Sequence, residues 1–352
     1  MEQFKDGLAH KAFKSYASRG RLNSTKDDDF MYCNVLDPFE LDVQKILESK
    51  AIRRLKDKTQ VFCFPENPHV RTRLSHTFQV VSVATAIARI LGLNVHLCQA
   101  IAWGHDIGHA PYGHMGEEFI AQKTGHDFRH EIFGVVIAQR IERQGKGLNL
   151  SFETLQGIAN HSRGGGGLTV NPELPLEDAV VMYADKIAYT FSDIKDGLRN
   201  GHMQENHLPP HLYKLGNQPR EWVAHCIFSL AKESCEKGVI SFSDSEAAKI
   251  FAEIKSWMYE NVYADINWNI QRETLSIAYD FFKYEPRFAD YDPALPIALM
   301  TDREANRMTG IIQSSIKPKV RHVEDFGFME ILPHLVWPRR EYITAGMEWK
   351  KP

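Results

Sequence analysis

From about residue 38 onward, apolar residues recur at three- and four-residue spacing, and a chain so patterned buries them by packing helices side by side. In 74–91, Leu74, Phe78, Val81, Ile87 and Leu91 mark one helix face, and Gly92 is placed to end it. A second helix is predicted over 95–105, with Leu97, Ala100 and Ile101 on one face. Further helical stretches fall at about 129–143, 151–161, 177–198, 220–237, 244–261, 270–283 and 294–308. Residues 107–116, IGHAPYGHMG, hold three glycines and a proline and read as a loop. The run Gly164–Gly167 reads as a mobile loop. Strand signals are confined to weak candidates in 318–344. A length of 352 residues would allow two ordinary domains, but no Pro/Ser-rich linker and no repeat divides the chain. The expectation is one all-α domain, a helical bundle over 38–310. A polar, partly mobile N-terminal arm at 1–37 precedes it, and a C-terminal extension at 311–352 brings minor extra elements.

Composition narrows the function classes. With 43% hydrophobic and 25% charged residues, the chain is globular, not disordered. No apolar run approaches the roughly 20 residues of a membrane span, and the charged start lacks the apolar centre of a secretory signal. Five cysteines form no CxxC pair, which fits reduced thiols and a cytoplasmic protein and argues against a zinc ribbon. A net charge of -3 gives no global pull toward nucleic acid. Lys50, Arg53, Arg54, Lys56 and Lys58, followed by Arg71 and Arg73, form a local basic cluster. Such a run is ordinarily a solvated helix face unless the substrate is a polyanion.

Eight of the sixteen histidines fall between His69 and His130, a density that points to ligands or proton carriers. His105 and Asp106 stand together at a predicted helix end, where flanking Gly104 and Gly108 let one ion reach both. His76 lies on the preceding helix, which can return antiparallel to face His105. Asp185 sits among Val180, Val181, Met182, Ile187 and Ala188, where an unpaired carboxylate is expensive to bury and coordination would remove the cost. Tyr189 and Asp193 follow on nearly the same helix face. Two His and two Asp suit a divalent ion such as Mn2+, Mg2+, Fe2+, Ni2+ or Zn2+.

At these positions the sequence resembles the deoxynucleoside triphosphate triphosphohydrolases, the dGTPase-like branch of the HD superfamily. The matching pieces run in order: SKAIRRLKDKTQVF (49–62), PENPHVRTRLSH (65–76), HDIGHAPYGHMGE (105–117), FRHE (128–131), GLNLSFETLQGI (147–158), DKIAYTFSDIKDGLRNG (185–201) and MTDR (300–303). The resemblance implies an all-helical HD core that hydrolyses a dNTP to deoxynucleoside and inorganic triphosphate. It implies His76, His105, Asp106 and Asp185 as metal ligands. His114 and Glu117 match catalytic positions, and His130 matches an active-site histidine near the phosphates. Arg73, Lys186 and Tyr189 would contact the triphosphate, Asp193 would lie near the sugar, and Gln60 would read the 3′-hydroxyl. With His114 on the glycine-rich loop, Glu117 is expected to orient it. A homo-oligomer is expected by the same analogy. Many members carry an Arg-Asp-Arg run where this chain has Leu41-Asp42-Val43, which removes those arginines from any phosphate or effector contact.

Other readings stay open. Another HD phosphohydrolase (a nucleotidase, a cyclic-nucleotide phosphodiesterase or an alarmone hydrolase) would share the ligands, though an alarmone hydrolase would carry Glu-Asp where Gly108-His109 stands. A non-catalytic binder of nucleotides or single-stranded nucleic acid would use the basic cluster. His96 and His126 read as surface or cap residues. His109 is open between phosphate contact and packing, and His161 between pocket and surroundings. Trp222, Phe228, Trp257, Phe281 and Phe282 read as core, not as a base-stacking platform.

Overall fold

Helix starts follow the side chains able to satisfy the first free N–H groups. In the computed structural model, which describes residues 7–23, 35–63, 69–162, 170–313 and 326–334, Asp37 accepts from the Phe39 amide and Pro38 opens α1, Pro38–Glu48. Ser49 then accepts from the Ile52 amide to start α2, Lys50–Arg54. Thr72 and Ser75 cap one another reciprocally at the head of α3, Arg73–Leu91, and Gly92 closes that helix in the left-handed conformation. Asn94 caps α4, Val95–Gly104. With so short a connection α3 and α4 form an antiparallel hairpin, which brings His76 and His105 to the same end.

The remaining helices are α5 (His114–Thr124), α6 (His130–Val136), α7 (Phe152–Asn160), α8 (Leu176–Arg199), α9 (Pro219–Lys237), α10 (Glu246–Met258), α11 (Asn269–Tyr284), α12 (Ala294–Leu299) and α13 (Asp302–Gln313). Helices α6 and α10 each run on into a π turn, at Ile137–Ile141 and Tyr259–Tyr263. Among the described residues there is no β-strand, only the isolated bridges Arg21–Ser151 and Thr59–Thr72. The fold is all-α, as the periodicity predicts.

Three local expectations change. The loop ends at Gly113, and His114 is the first residue of α5 instead of a loop residue. The stretch 294–308 is two helices: the Thr301 amide donates to Glu304 and the Glu304 amide to the Thr301 hydroxyl, a reciprocal cap that starts α13 afresh. Residues 327–334 form 3-10 turns where strand was a candidate, and the rest of 318–344 lies outside the described residues, as does Gly164–Gly167.

Helices α3, α4, α8, α9 and α10 share one apolar cluster, and α5, α6, α7, α11, α12 and α13 share a second. By length and composition α3 is apolar enough to cross a membrane. Here it is a core helix, with Val80, Ala84, Ile87 and Ala88 fully buried. Helix α8 packs along it, and the two present His76 and Asp185 to one another.

Polarity suggested an arm free of the core, yet residues 7–23 are docked by specific bonds. The Leu8 amide donates to Leu91 O, the Phe13 amide to Glu177, and Ser18 and the Arg19 amide to Glu153. Arg21 pairs with Asp42, which is wholly buried and also accepts from Ser151 and Thr154. Asp42, the acid of the Leu41-Asp42-Val43 departure, is thus the anchor of this arm. Arg21→Ala should leave a buried carboxylate without its cation and destabilise the fold by about 3 kcal/mol. Urea unfolding checks this, and a change under about 0.5 kcal/mol would show the pair to be idle.

Candidate active site

The end of α4 carries the first pair of functional side chains. The His105 ring donates from Nδ1 to the Ala102 carbonyl at 2.7 Å, which leaves its Nε2 lone pair buried and without a hydrogen-bond partner. That lone pair lies 3.5 Å from Asp106 Oδ1 and 3.9 Å from Asp185 Oδ1. His76 Nε2 sits 3.0 Å from the same Asp185 oxygen. Ligand atoms of His76, His105 and Asp106 lie within 4.8 Å of one another and could hold a metal ion, with Asp185 against two of them. An orphaned imidazole nitrogen aimed at two carboxylates, its tautomer fixed by a carbonyl behind it, is the donor set a divalent cation requires.

Two cations flank this cluster. Arg73, the first residue of α3, donates to Asp106 Oδ2 at 3.0 Å, and Lys186 donates to Asp185 Oδ2 at 3.2 Å. Burial alone would raise both carboxyls. Around Asp106 it is outweighed by His105, His109 and Arg73, and around Asp185 by Lys186, His76 and His105, so both stay well below the usual carboxylate range. Gly113 permits the approach of Arg73. At φ 62° it takes a conformation that L side chains rarely adopt, and a Cβ there would stand 2.4 Å from the guanidinium.

A histidine network extends from the cluster. His109 Nε2 is 3.1 Å from Asp106, and its Nδ1 is 2.5 Å from Glu117. Burial, then Arg73 and His130, push the His109 ring down to about 3, against the opposing pull of Asp106 and Glu117. The ring stacks on His130 at 3.6 Å between centroids. His130 Nδ1 faces Glu117 at 3.1 Å, and its Nε2 is 3.2 Å from Nε2 of His161. His161 donates its own Nδ1–H to the Ile158 carbonyl, so its Nε2 can only accept. His130 therefore donates from Nε2 to His161, while its Nδ1 faces the Glu117 carboxylate. Burial would lower it, but Glu117 raises it above the ordinary histidine value.

Glu117 thus orients His109 and His130, and no hydrogen bond links it to His114, the pairing expected from sequence. The acid stands one turn inside α5, whereas the ring of His114 starts that helix and is exposed to the cavity. Its surroundings still desolvate it enough to lower its affinity for a proton, an effect that Glu117 opposes.

All of this opens into one cavity of about 360 Å3. Gln60, Arg73, His76, Asp106, His109, His114, His130, His161, Asp185, Lys186, Tyr189 and Asp193 all reach its wall, whereas His105 and Glu117 stand behind it. Tyr189 shares a 3.3 Å contact with the hydroxyl of Tyr259, and Tyr263 donates to Asp193 at 2.8 Å. Burial, only partly offset by Tyr263, pushes the Asp193 carboxyl up to about 7. The amide oxygen of Gln60 is buried without a partner.

His109 and His161, which the sequence left undecided, belong to the site. Tyr259, Tyr263 and Trp268 went unremarked; their only signal was aromatic spacing at the end of a helix, which core residues share. Of the aromatics read as core, Trp222 and Phe282 are buried, Trp257 and Phe281 partly so, and Phe228 is exposed and not core. His126 is exposed and His96 partly so. Of the basic cluster, Lys50, Arg53, Arg54 and Lys56 line a separate cleft with Arg303 and Arg307, where Lys50 pairs with Glu330 and Arg54 with Glu304; Lys58 is buried, Arg71 pairs with Asp196 and Arg73 lies in the cavity.

The HD domain family model matches residues 73–190, a span that contains every member of the histidine–carboxylate network. A deoxyguanosinetriphosphate triphosphohydrolase-like protein of Caldanaerobacter subterraneus subsp. tengcongensis is 37% identical over 264 residues, 75% of this chain and 76% of the relative. Proteins of the same name from Clostridium tetani (36% over 278 residues, 77% and 78% of the two chains) and Desulfatibacillum aliphaticivorans (38% over 265 residues, 73% and 74%) are similarly related.

Proposed function

The chain belongs to the deoxyguanosinetriphosphate triphosphohydrolase-like family of HD-domain proteins, and from that premise we propose that it hydrolyses deoxynucleoside triphosphates to deoxynucleoside and inorganic triphosphate. The observation that carries the reading is the arrangement of charge in the cavity: Arg73 and Lys186 on either side of the His76, His105, Asp106 and Asp185 cluster, with His114 facing the same space. Those four side chains would hold a divalent ion of the Mn2+, Mg2+, Fe2+, Ni2+ or Zn2+ kind, which would supply Lewis-acid polarisation of a phosphoryl oxygen.

The protein's own groups account for the rest. Arg73 and Lys186 bind a triphosphate by charge-assisted hydrogen bonds. Water adds to the α-phosphorus, the bond from phosphorus to O5′ breaks, and O5′ takes up a proton. His114 is the group placed to handle that proton. Triphosphate charge arriving beside its ring raises its proton affinity, which desolvation lowers in the free protein. His109, placed between Asp106 and Glu117, and His130 line the phosphate side. At the far end Gln60, Asp193 and Tyr263 offer acceptors and donors to a deoxyribose, the amide oxygen of Gln60 having no other partner.

The test is a panel of the four dNTPs, singly and mixed, with Mn2+ or Mg2+. The expected products are triphosphate and deoxynucleoside in equal amounts, with turnover lost on chelation and regained on adding Mn2+. Pyrophosphate or monophosphate as product would assign the site to another HD phosphohydrolase. Nucleotide binding with no turnover would make the chain a binder.

A further inference from the structure

Behind the cavity wall, the turn from His109 to Gly113 rests on two buried charged residues that do not line the cavity. Asp302, the first residue of α13, is 2% exposed. Its Oδ1 accepts the Tyr112 amide at 2.9 Å, and its Oδ2 accepts both the amide of Thr59, at 2.9 Å, and the Thr59 hydroxyl. Lys58, 3% exposed, donates to the carbonyl of His109. The turn is therefore held at one end by the Lys58 side chain and at the other by the Asp302 carboxyl group.

Its backbone requires such a hold. Tyr112 has φ 60°, a left-handed conformation that a non-glycine residue keeps only where its surroundings over-determine it. Gly113 follows with φ 62°, and the next residue is His114. Small rotations at Tyr112 and Gly113 would swing the start of α5 and the His114 ring with it. Asp302 is itself fixed, because the Thr301–Glu304 cap sets the backbone on either side of it. Burial lowers Lys58 to about 7 and raises Asp302, and the opposite charge of each works against both shifts.

We propose that Asp302 and Lys58 are positioning residues, which clamp the His109–Gly113 turn from outside the cavity and so set where His109 and His114 stand within it. This assigns a task to the MTDR segment, 300–303, which the proposed chemistry does not otherwise use. The catalytic consequence rests on the dNTP reading above; the clamp itself does not.

Asp302→Asn tests it, since an amide cannot accept from Tyr112 and from Thr59 as the carboxylate does. Thr59→Val removes only the hydroxyl donor, and Thr59→Ser keeps it. Amide hydrogen exchange across 107–116 should rise by about tenfold or more in Asp302→Asn, with α3 and α8 unchanged. Mn2+ content and KM should hold, while kcat for triphosphate release falls by between about tenfold and a hundredfold, the cost of a displacement of about 1 Å. Thr59→Val should give a smaller loss, and Thr59→Ser should match the parent protein. Exchange and kcat in Asp302→Asn within about threefold of the parent would overturn the proposal. So would faster exchange spread evenly over α3 and α8, which marks general destabilisation. Should the parent protein release no triphosphate from any dNTP, the substrate reading fails while the exchange arm still decides the clamp.

Discussion

Replacing Asp185 by asparagine is expected to lower kcat/KM for triphosphate release by at least about three orders of magnitude, with loss of bound metal. That figure corresponds to about 4 kcal/mol of transition-state stabilisation, within what an electrophilic ion contributes. Asp185 is the carboxylate shared by the cluster: one oxygen faces both His76 and His105, the other accepts from Lys186. An amide keeps the volume, so α8 and its packing should survive, but it forfeits the negative charge and one of the two acceptors. The variant is thus expected to fold and melt near the parent temperature while containing far less Mn2+ by elemental analysis. A protein that keeps stoichiometric Mn2+ and turns over within about tenfold of the parent would remove Asp185 from the ligand set.

His114→Ala is expected to separate proton handling from metal binding. General acid–base groups contribute about 10²–10⁴-fold, and kcat should fall by that range with Mn2+ content intact. The ring contacts none of the four cluster residues. It meets His109 and His130 edge-on, at 5.2 and 5.7 Å between centroids, and otherwise faces the cavity. Because the ring is exposed to the cavity, its removal leaves no unpaired buried group and little structural cost. Glu117→Gln should act differently. It withdraws the negative charge between His109 and His130, so that His130 loses the partner that raises its proton affinity. Near-normal turnover of His114→Ala with metal still bound would move the proton to another group.

The proximity of His76, His105, Asp106 and Asp185 was legible in the sequence because each of these residues carries a local mark. His105-Asp106 adjoins a helix end flagged by glycine, His76 lies one helix earlier, and Asp185 is a lone acid in an apolar run. Helix boundaries depart from the apolar periodicity where a cap or a glycine turn intervenes. The Thr301–Glu304 cap splits 294–308 in two, and the start of α5 at His114 was absorbed into the glycine-rich stretch. Side-chain partnership was a different matter. Glu117 lies three residues from His114 in sequence, yet its hydrogen bonds go to His130 and its other close contact is His109, while the His114 ring meets the same two histidines edge-on. Tyr259 and Tyr263, on the π turn after α10, and Trp268, just before α11, carry no mark in their own segments that separates a cavity residue from a core one, and His161, just after α7, was left open by the sequence.

The chain by itself thus determined a helical class and a set of side chains able to bind an ion, since helical period, caps and adjacent ligands are properties of a few consecutive residues. Only the tertiary structure decided which partners each histidine meets, what Glu117 holds, where the basic residues face and what braces the turn before His114. Those outcomes depend on how whole helices cross. The crossing is set by the summed shapes of two buried apolar clusters, and no single stretch of sequence carries that information.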